Sequence, residues 1–213
     1  IRNGASKVIL SVPPLDDSIK MVVIGVNESI ISKEDTIISN ASCTTNNAAP
    51  MLKIINDLCG IEQASITTIH SYTTDQSLHD QPHKDLRRAR AASQSIVPTT
   101  TGAAKALTKI FPELKTVIGG CGIRVPVPNG SLTDITINSK NEVAISDINN
   151  AFKEASLTGL KNILQYTDDP IVSVDINGNN HSCIFDSEMT SVIGKMIKII
   201  GWYDNEVGYS SRL

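Results

Sequence analysis

The sequence lacks several features that define membrane, nucleic-acid-binding and disulfide-stabilised proteins. No apolar run approaches the ~20 residues of a membrane-spanning helix. The 19 basic residues do not outnumber the 22 acidic ones, and the net charge of −3 argues against general binding of phosphate backbones. The four cysteines, Cys43, Cys59, Cys121 and Cys183, form no Cys-x-x-Cys pair, which argues against a zinc site or a disulfide framework. We therefore predict a globular cytoplasmic protein with neither a membrane nor a nucleic acid as partner.

The first 42 residues and the remainder have different patterns. Short apolar segments at 7–12, 21–25 and 36–39 are typical of strands in a parallel sheet that is covered on both faces. Too little helix lies between them to cover such a sheet, so this region is predicted to be the tail of a larger α/β domain. Beyond Cys43, helical and long strand-like segments mix and predict an α+β domain.

The predicted elements of that second region are a helix, a long strand, an irregular loop and then alternating helices and strands. The helix runs from Cys43 to a glycine stop at Gly60, and the strand that follows leads to His70. The remaining elements are a loop over 72–98, a helix over 101–111, antiparallel strands over 116–127 and 131–139, a helix over 147–156 with Ser146 as N-cap, and strands over 171–175, 182–185 and 195–203.

Cys43 is the strongest candidate for chemistry. It lies where a strand-like segment gives way to a helix, so its thiol is predicted to face the positive end of a helix dipole, which lowers a cysteine pKa. His70 ends the next strand 27 residues later and can supply the base that a nucleophilic thiol needs. The competing interpretation is a buried structural cysteine and a structural histidine, and spacing alone leaves both open.

Three further elements can bind phosphate. The loop carries a basic run with Arg87, Arg88 and Arg90; Thr101 and Gly102 begin a helix; and Arg124 interrupts an apolar strand. A solvated surface and ordinary N-capping are the alternatives for the first two. The pair His79-x-x-x-His83 has no partnering acid and no helix, so no metal site is predicted.

Six segments together resemble the phosphorylating glyceraldehyde-3-phosphate dehydrogenase family, over essentially the whole chain. They are Ser39-Asn40-Ala41-Ser42-Cys43-Thr44-Thr45-Asn46, His70-Ser71-Tyr72-Thr73, His83-Lys84-Asp85-Leu86-Arg87-Arg88-Ala89-Arg90, Thr101-Gly102-Ala103-Ala104-Lys105, Arg124-Val125-Pro126 and Trp202-Tyr203-Asp204-Asn205-Glu206. The resemblance implies that Cys43 attacks an aldehyde, that His70 acts as base while hydride passes to NAD, and that inorganic phosphate then splits the thioester. It also implies a small phosphorylated aldehyde as substrate, a step of glycolysis or gluconeogenesis, and a homotetramer.

The resemblance assigns binding roles residue by residue. Thr73 and Arg90 match positions at the family's substrate-phosphate site, and Arg124 lies close to both phosphate sites. Positions at the attacking-phosphate site are matched by Ser42, Thr44, Thr101 and Gly102. Positions at the coenzyme site are matched by Ser11 and Asn205.

The departures from the family pattern concern the coenzyme. The family's Gly-x-Gly-x-x-Gly fingerprint does not occur in this sequence, and we expect on the order of 100 residues of the coenzyme domain to precede it in the parent protein. The predicted division is a Rossmann-type remnant (1–42), a catalytic domain with a mixed, largely antiparallel sheet (43–204) and a return segment (205–213). The choice between NAD and NADP stays open. The alternative functions are an erythrose-4-phosphate dehydrogenase and a non-enzymatic interaction module.

Overall fold

The computed structural model describes residues 4–213, so residues 1–3 of the predicted first region lie outside the described part. The strands are β1 (Val8–Leu10), β2 (Lys20–Met21), β3 (Ile37–Ser39), β4 (Ile61–Ser71), β5 (Val97–Thr99), β6 (Ile118–Val125), β7 (Ser131–Ser139), β8 (Leu164–Thr167), β9 (Cys183–Ile193) and β10 (Met196–Tyr203). The α-helices are α1 (Cys43–Cys59), α2 (Gly102–Ile110), α3 (Ile145–Leu157) and α4 (Val207–Ser210).

The strands form a small and a large sheet. The small sheet has the order β1-β3-β2 and is parallel throughout. The large sheet has the order β5-β6-β4-β7-β10-β9-β8. Its pairs β4–β6 and β8–β9 are parallel and its other four pairs are antiparallel. The prediction of an α/β chain whose second region holds a mixed, largely antiparallel sheet is confirmed.

Three helices form one layer on the large sheet. Helix α1 packs on β4, β7, β9 and β10 and touches both α2, which lies on β6, and α3, which lies on β8 and β9. The apolar face of α1 buries Met51, Leu52 and Ile55 completely. Gly201 of β10 permits this close approach, because a Cβ there would lie 2.7 Å from the Met51 side chain. This layer fixes the position of α1, and with it the position of Cys43.

Helix α1 begins and ends where the sequence indicates. Ser42 is its N-cap, and its Oγ accepts the backbone N–H of Thr45 at 3.2 Å. Gly60 is its C-cap at φ +71°, a conformation that residues with a Cβ rarely adopt.

One predicted strand is absent and another is shorter than predicted, because local hydrogen bonds form turns there. Residues 171–175 are turns rather than a strand, since the Asp175 carboxylate accepts the N–H of Val172 at 2.7 Å. The strand in this part of the sheet is β8, which precedes that segment. The segment 21–25 is extended only at its start, because Asn27 Oδ1 accepts the N–H of Val23 at 2.8 Å and closes a turn.

Two other predictions need correction. Helix α3 has Ala144 rather than Ser146 as its N-cap, and the Asp147 carboxylate accepts the Ala144 N–H at 3.3 Å. The antiparallel strands predicted over 116–127 and 131–139 are present as β6 and β7, but β6 also has a parallel pair. Strand β4 lies between them, parallel to β6 and antiparallel to β7. Their alternation predicted strands correctly but carried no information on which neighbours they pair with.

Candidate active site

Cys43 is the first residue of α1 and opens into a cleft at the edge of the large sheet. Ala41, two residues before Cys43, is fully buried at φ +55° and turns the chain sharply from β3 into the helix. The side-chain amide of Asn46 supports this turn, since it donates to the carbonyls of Asn40 at 2.9 Å and Ser42 at 3.1 Å. The thiol is therefore held at the helix N-terminus by a rigid corner of backbone.

His70 meets this thiol from strand β4. Its Nε2 lies 3.4 Å from Cys43 Sγ. Arg124 is directly opposite His70 in the parallel β4–β6 pair, which places its Nη1 2.5 Å from His70 Nδ1. Arg124 also donates to the Ser71 carbonyl at 2.9 Å. The pairing predicted from sequence spacing is thus present in space, and β6 adds a guanidinium group behind the imidazole.

The groups around His70 Nδ1 are compatible with two tautomers of the imidazole. Nδ1 also lies 2.8 Å from the Ser71 carbonyl, to which it donates when it carries the hydrogen; Nε2 is then free to accept the thiol proton. In the other tautomer Nδ1 accepts from Arg124, and Nε2–H points at the sulfur, which suits a thiolate. The first tautomer can accept the thiol proton, whereas the second can donate to a thiolate but cannot accept its proton.

Burial sets the resting charges of the pair. It raises the pKa of the Cys43 thiol, although the Thr44 N–H and hydroxyl and the Arg124 charge act in the opposite direction. The predicted lowering at the helix end is therefore present but outweighed. Burial and the Arg124 charge also lower the pKa of His70 to about 4. At neutral pH the imidazole is therefore uncharged, and burial and the Arg124 charge oppose its protonation.

The cleft in front of Cys43 has a volume of about 210 Å³ and is lined by groups that bind anions. Thr101 caps α2, its Oγ1 accepting the Ala103 N–H at 3.2 Å, so the first turn of α2 faces the cleft. Arg88 lines the same cleft; its Nε donates to Thr99 Oγ1 at 2.8 Å, and it pairs with Asp75. Two guanidinium groups and a helix N-terminus therefore surround the thiol.

The cleft brings together most of the predicted site residues. Those that line it are Ser42, Cys43, Thr44, His70, Thr101, Gly102 and Arg124. Thr73 and Arg90 are not in its lining. Thr73 follows β4, and Arg90 pairs with Asp80 at 2.9 Å on the exposed part of the loop. Ser11 is exposed just after β1. The roles assigned to these three residues stay predictions.

Sequence reasoning missed two residues of the site. Arg88 was one of three arginines in a basic run, and nothing in the run indicates which one turns inward; the contact with Thr99 decides it. Tyr203 is fully buried, its hydroxyl lies 2.8 Å from Thr44 Oγ1, and its ring meets the His70 imidazole edge-on at 6.0 Å. Burial raises the pKa of Tyr203, so its hydroxyl stays protonated.

Asn205 lies beyond the end of β10 with its amide held in one orientation. The hydroxyls of Ser71 and Ser131 both donate to its Oδ1, each at 2.9 Å. The neighbouring Asp204 is buried, which alone would raise its pKa, but the N–H groups of Gly178, Val207 and Glu206 lower it below the usual value. The Asn205 carbonyl is thus used internally, while its NH₂ group donates one hydrogen bond to Glu206 Oε1 at 3.3 Å and keeps one further N–H.

The described residues 4–213 contain no helix long and apolar enough to cross a membrane. In the same range, no three His, Cys, Asp or Glu side chains converge in a way that could hold a metal ion.

The α/β architecture thus places a thiol beside an imidazole in a cleft that is lined by two guanidinium groups and a helix N-terminus. A family model described as the glyceraldehyde 3-phosphate dehydrogenase C-terminal domain matches residues 42–205. The chain belongs to this family.

Individual relatives agree with this assignment. The chain is 54% identical over 210 residues to a glyceraldehyde-3-phosphate dehydrogenase of Mycobacterium avium, covering 99% of this chain and 62% of that protein. It is 53% identical over the same length to that of Mycobacterium bovis (strain BCG / Pasteur 1173P2), with the same coverage. It is 48% identical over 214 residues to glyceraldehyde-3-phosphate dehydrogenase 1 of Streptomyces avermitilis, covering 64% of that protein. The chain thus spans just under two thirds of the length of these relatives.

Proposed function

We propose that this chain carries the catalytic domain of a phosphorylating glyceraldehyde-3-phosphate dehydrogenase, with Cys43 as nucleophile and His70 as base. The observation that supports it best is the 3.4 Å approach of Cys43 Sγ to His70 Nε2 inside a cleft that also holds Arg88 and Arg124. A phosphorylated aldehyde brings negative charge, and both guanidinium groups favour its binding. A neutral imidazole supplies the base that the uncharged thiol requires.

In the first step Cys43 Sγ bonds to the aldehyde carbon. The thiol proton moves to His70 Nε2 and from there to the aldehyde oxygen, which becomes the hydroxyl of a hemithioacetal. His70 Nε2 and the Cys43 backbone N–H, which is free at the helix N-terminus, would hold that oxygen. His70 then accepts the hydroxyl proton as the carbon loses hydride and becomes a thioester.

NAD, when bound, would accept that hydride. Asn205 is proposed to hold the nicotinamide carboxamide, because two serine hydroxyls fix the orientation of its amide and its NH₂ keeps one N–H beyond the bond to Glu206. Ser11 is proposed to line the same coenzyme. The residues described here do not favour NAD over NADP.

Phosphate attack completes the reaction. A phosphate oxygen bonds to the thioester carbon, and the bond to Cys43 Sγ breaks with the electron pair on sulfur, which yields the acyl phosphate. Ser42, Thr44, Thr101, Gly102 and Arg88 surround the side of the cleft from which such an anion can approach. We further propose that Thr73, Arg90 and Arg124 hold the substrate phosphate, and that the parent protein is a homotetramer acting in glycolysis or gluconeogenesis.

The last half-reaction can be tested in reverse on this chain without coenzyme. With acetyl phosphate, Cys43 should displace phosphate and gain one acetyl group, which peptide mapping by mass spectrometry locates. We expect acetylation of Cys43 well ahead of Cys121, the exposed cysteine, and slower acetylation in Arg88→Gln. Equal acetylation of both thiols would refute a nucleophile at Cys43.

The substrate is tested in protein that spans the full length of the relatives. NAD reduction should depend on phosphate and should favour glyceraldehyde 3-phosphate over erythrose 4-phosphate. A clear preference for the tetrose would replace the proposed substrate. Acetylation of Cys43 without aldehyde oxidation would assign the chain a thiol chemistry but not this dehydrogenase reaction.

A further inference from the structure

Helix α2 leads away from the catalytic cleft and carries two lysines along one side. Gly102 at its N-terminus lines the cleft, and Lys105 and Lys109 follow at positions i+3 and i+7, which lie on the same helix face. These two lysines line a second groove of about 500 Å³, together with Lys20 and Lys115. We call this second groove the α2 groove.

The α2 groove is continuous with the cleft. A hollow of about 200 Å³ lies between them and is lined by Pro13 and Gly102, which it shares with the cleft. It also shares Asp17, Met21, Lys105 and Lys109 with the α2 groove. The hollow therefore adjoins both the groove and the cleft that contains Cys43.

Charge in the α2 groove is opposite in sign to that of the chain as a whole, which is −3. Its lining holds four lysines and one carboxylate, that of Asp17. Lys109 pairs with Asp17 at 2.5 Å, and Lys20 pairs with Asp35 at 2.8 Å. Among the residues that the structure describes, Lys105 and Lys115 have no ion pair and are exposed. Two free ammonium groups thus face the groove.

We propose that the α2 groove collects small phosphate-bearing anions and guides them to Cys43, an inference that rests on the proposed function. Clefts lined by one sign of charge, with low-dielectric walls, raise the local concentration of oppositely charged substrates. Met21 and Pro112 supply apolar wall here. Ammonium groups suit transit better than guanidinium groups, because they act as hydrated point charges and do not hold phosphate in a bidentate geometry.

Alkylation of Cys43 by two reagents of different charge tests the proposal on this chain alone. Iodoacetate and iodoacetamide both form a bond from carbon to Cys43 Sγ with loss of iodide, but only the first is an anion. The measured quantity is the ratio of their two rate constants at Cys43. In the double variant Lys105→Gln/Lys115→Gln we expect this ratio to fall about threefold at low ionic strength. In about 1 M salt, where the screening length is about 3 Å, the double variant and the unmodified chain should have the same ratio.

Lys140→Gln is the control; it removes one positive charge, against two in the double variant, at a residue that lines neither the groove nor the cleft. Lys140 packs beside Gly60 at the C-terminal end of α1, about 25 Å from Cys43 along a 17-residue helix. The ratio of the two alkylation rate constants in Lys140→Gln should equal that of the unmodified chain. The rate with iodoacetamide should not change in any variant, which shows that the fold and the thiol are intact.

The possible results separate this proposal from the proposed function. An unchanged ratio in the double variant, or the same fall in Lys140→Gln, would overturn guidance by the groove. Equal decreases in the rate constants of iodoacetate and iodoacetamide would also overturn it, since the lysines would then act on the thiol itself. In each of these cases rapid, selective alkylation of Cys43 leaves the proposed nucleophile in place. Slow, unselective alkylation of Cys43 in the unmodified chain would count against the proposed function instead.

Discussion

Cys43 and Cys59 are the first and last residues of the same helix, but their surroundings differ. Burial raises the pKa of both thiols. Cys59 is almost fully buried, and its thiol donates to the Ile55 carbonyl at 3.4 Å. Cys43 is half-buried and opens into a cleft with His70 at 3.4 Å. The difference lies in the base and the access route that strand β4 and the cleft provide.

Removing each thiol in turn should separate a chemical role of Cys43 from a structural role of Cys59, and it should produce the largest effect that we expect. Cys43→Ser should slow acetylation by acetyl phosphate at residue 43 by at least about 10³-fold, because a hydroxyl is a far weaker nucleophile than a thiol beside the same base. Cys59→Ser should leave acetylation of Cys43 unchanged and destabilise the fold by about 1–3 kcal/mol, since it buries a more polar group in an apolar site. Quantitative mass spectrometry and urea unfolding give the two readouts.

A Cys43→Ser chain that still acetylates at full rate at residue 43 would contradict the comparison. So would a Cys59→Ser chain that loses acetylation of Cys43 while its unfolding midpoint is unchanged.

The burial of His70 can be tested through the pH dependence of stability. Its folded-state pKa of about 4 lies below its ordinary value of 6.5. Between these values the unfolded chain binds a proton that the folded chain does not, so stability falls as pH falls. From neutral pH to about pH 4, the chain should lose roughly 3 kcal/mol of unfolding free energy that His70→Gln does not lose.

Urea unfolding of the two proteins across this range measures the effect. Above pH 7 the two curves of stability against pH should run parallel, which provides the internal control. Parallel curves down to about pH 4 would mean that His70 is solvated and that Arg124 does not restrict its protonation.

Much of the fold near α1 could be predicted from the sequence, because the signals there are local. Ser42 caps the helix, Gly60 ends it, and an apolar strand leads to His70. The failures are of another kind. The segment 171–175 has strand composition, but the Asp175 side chain closes a turn that composition does not reveal. Strand β6 pairs parallel with β4 because of the whole topology, and no feature of its own sequence encodes that partner.

The residues of the candidate site likewise fall into those that local sequence predicts and those that it does not. Cys43, His70 and Arg124 could be chosen because a thiol at a helix start, a histidine at a strand end and a charge in an apolar strand are each unusual. Arg88 could not be distinguished from Arg90, since both belong to one irregular loop whose conformation depends on contacts with Thr99, Asp75 and Asp80. Local sequence does not encode long-range contacts of this kind.

Substitution at Gly60 should produce the smallest effect and should leave the other end of α1 untouched. Gly60→Ala places a Cβ at φ +71° and 3.0 Å from the flexible side chain of Lys140, so backbone strain accounts for most of the cost. We expect a loss of about 1–2 kcal/mol in urea unfolding and no change in alkylation of Cys43. Gly159→Ala is the matched control, because a Cβ there meets no atom within 4 Å; it should change stability by less than about 0.5 kcal/mol. If Gly60→Ala slowed alkylation of Cys43, the two ends of α1 would be coupled, and the separation of a chemical from a structural end would fail.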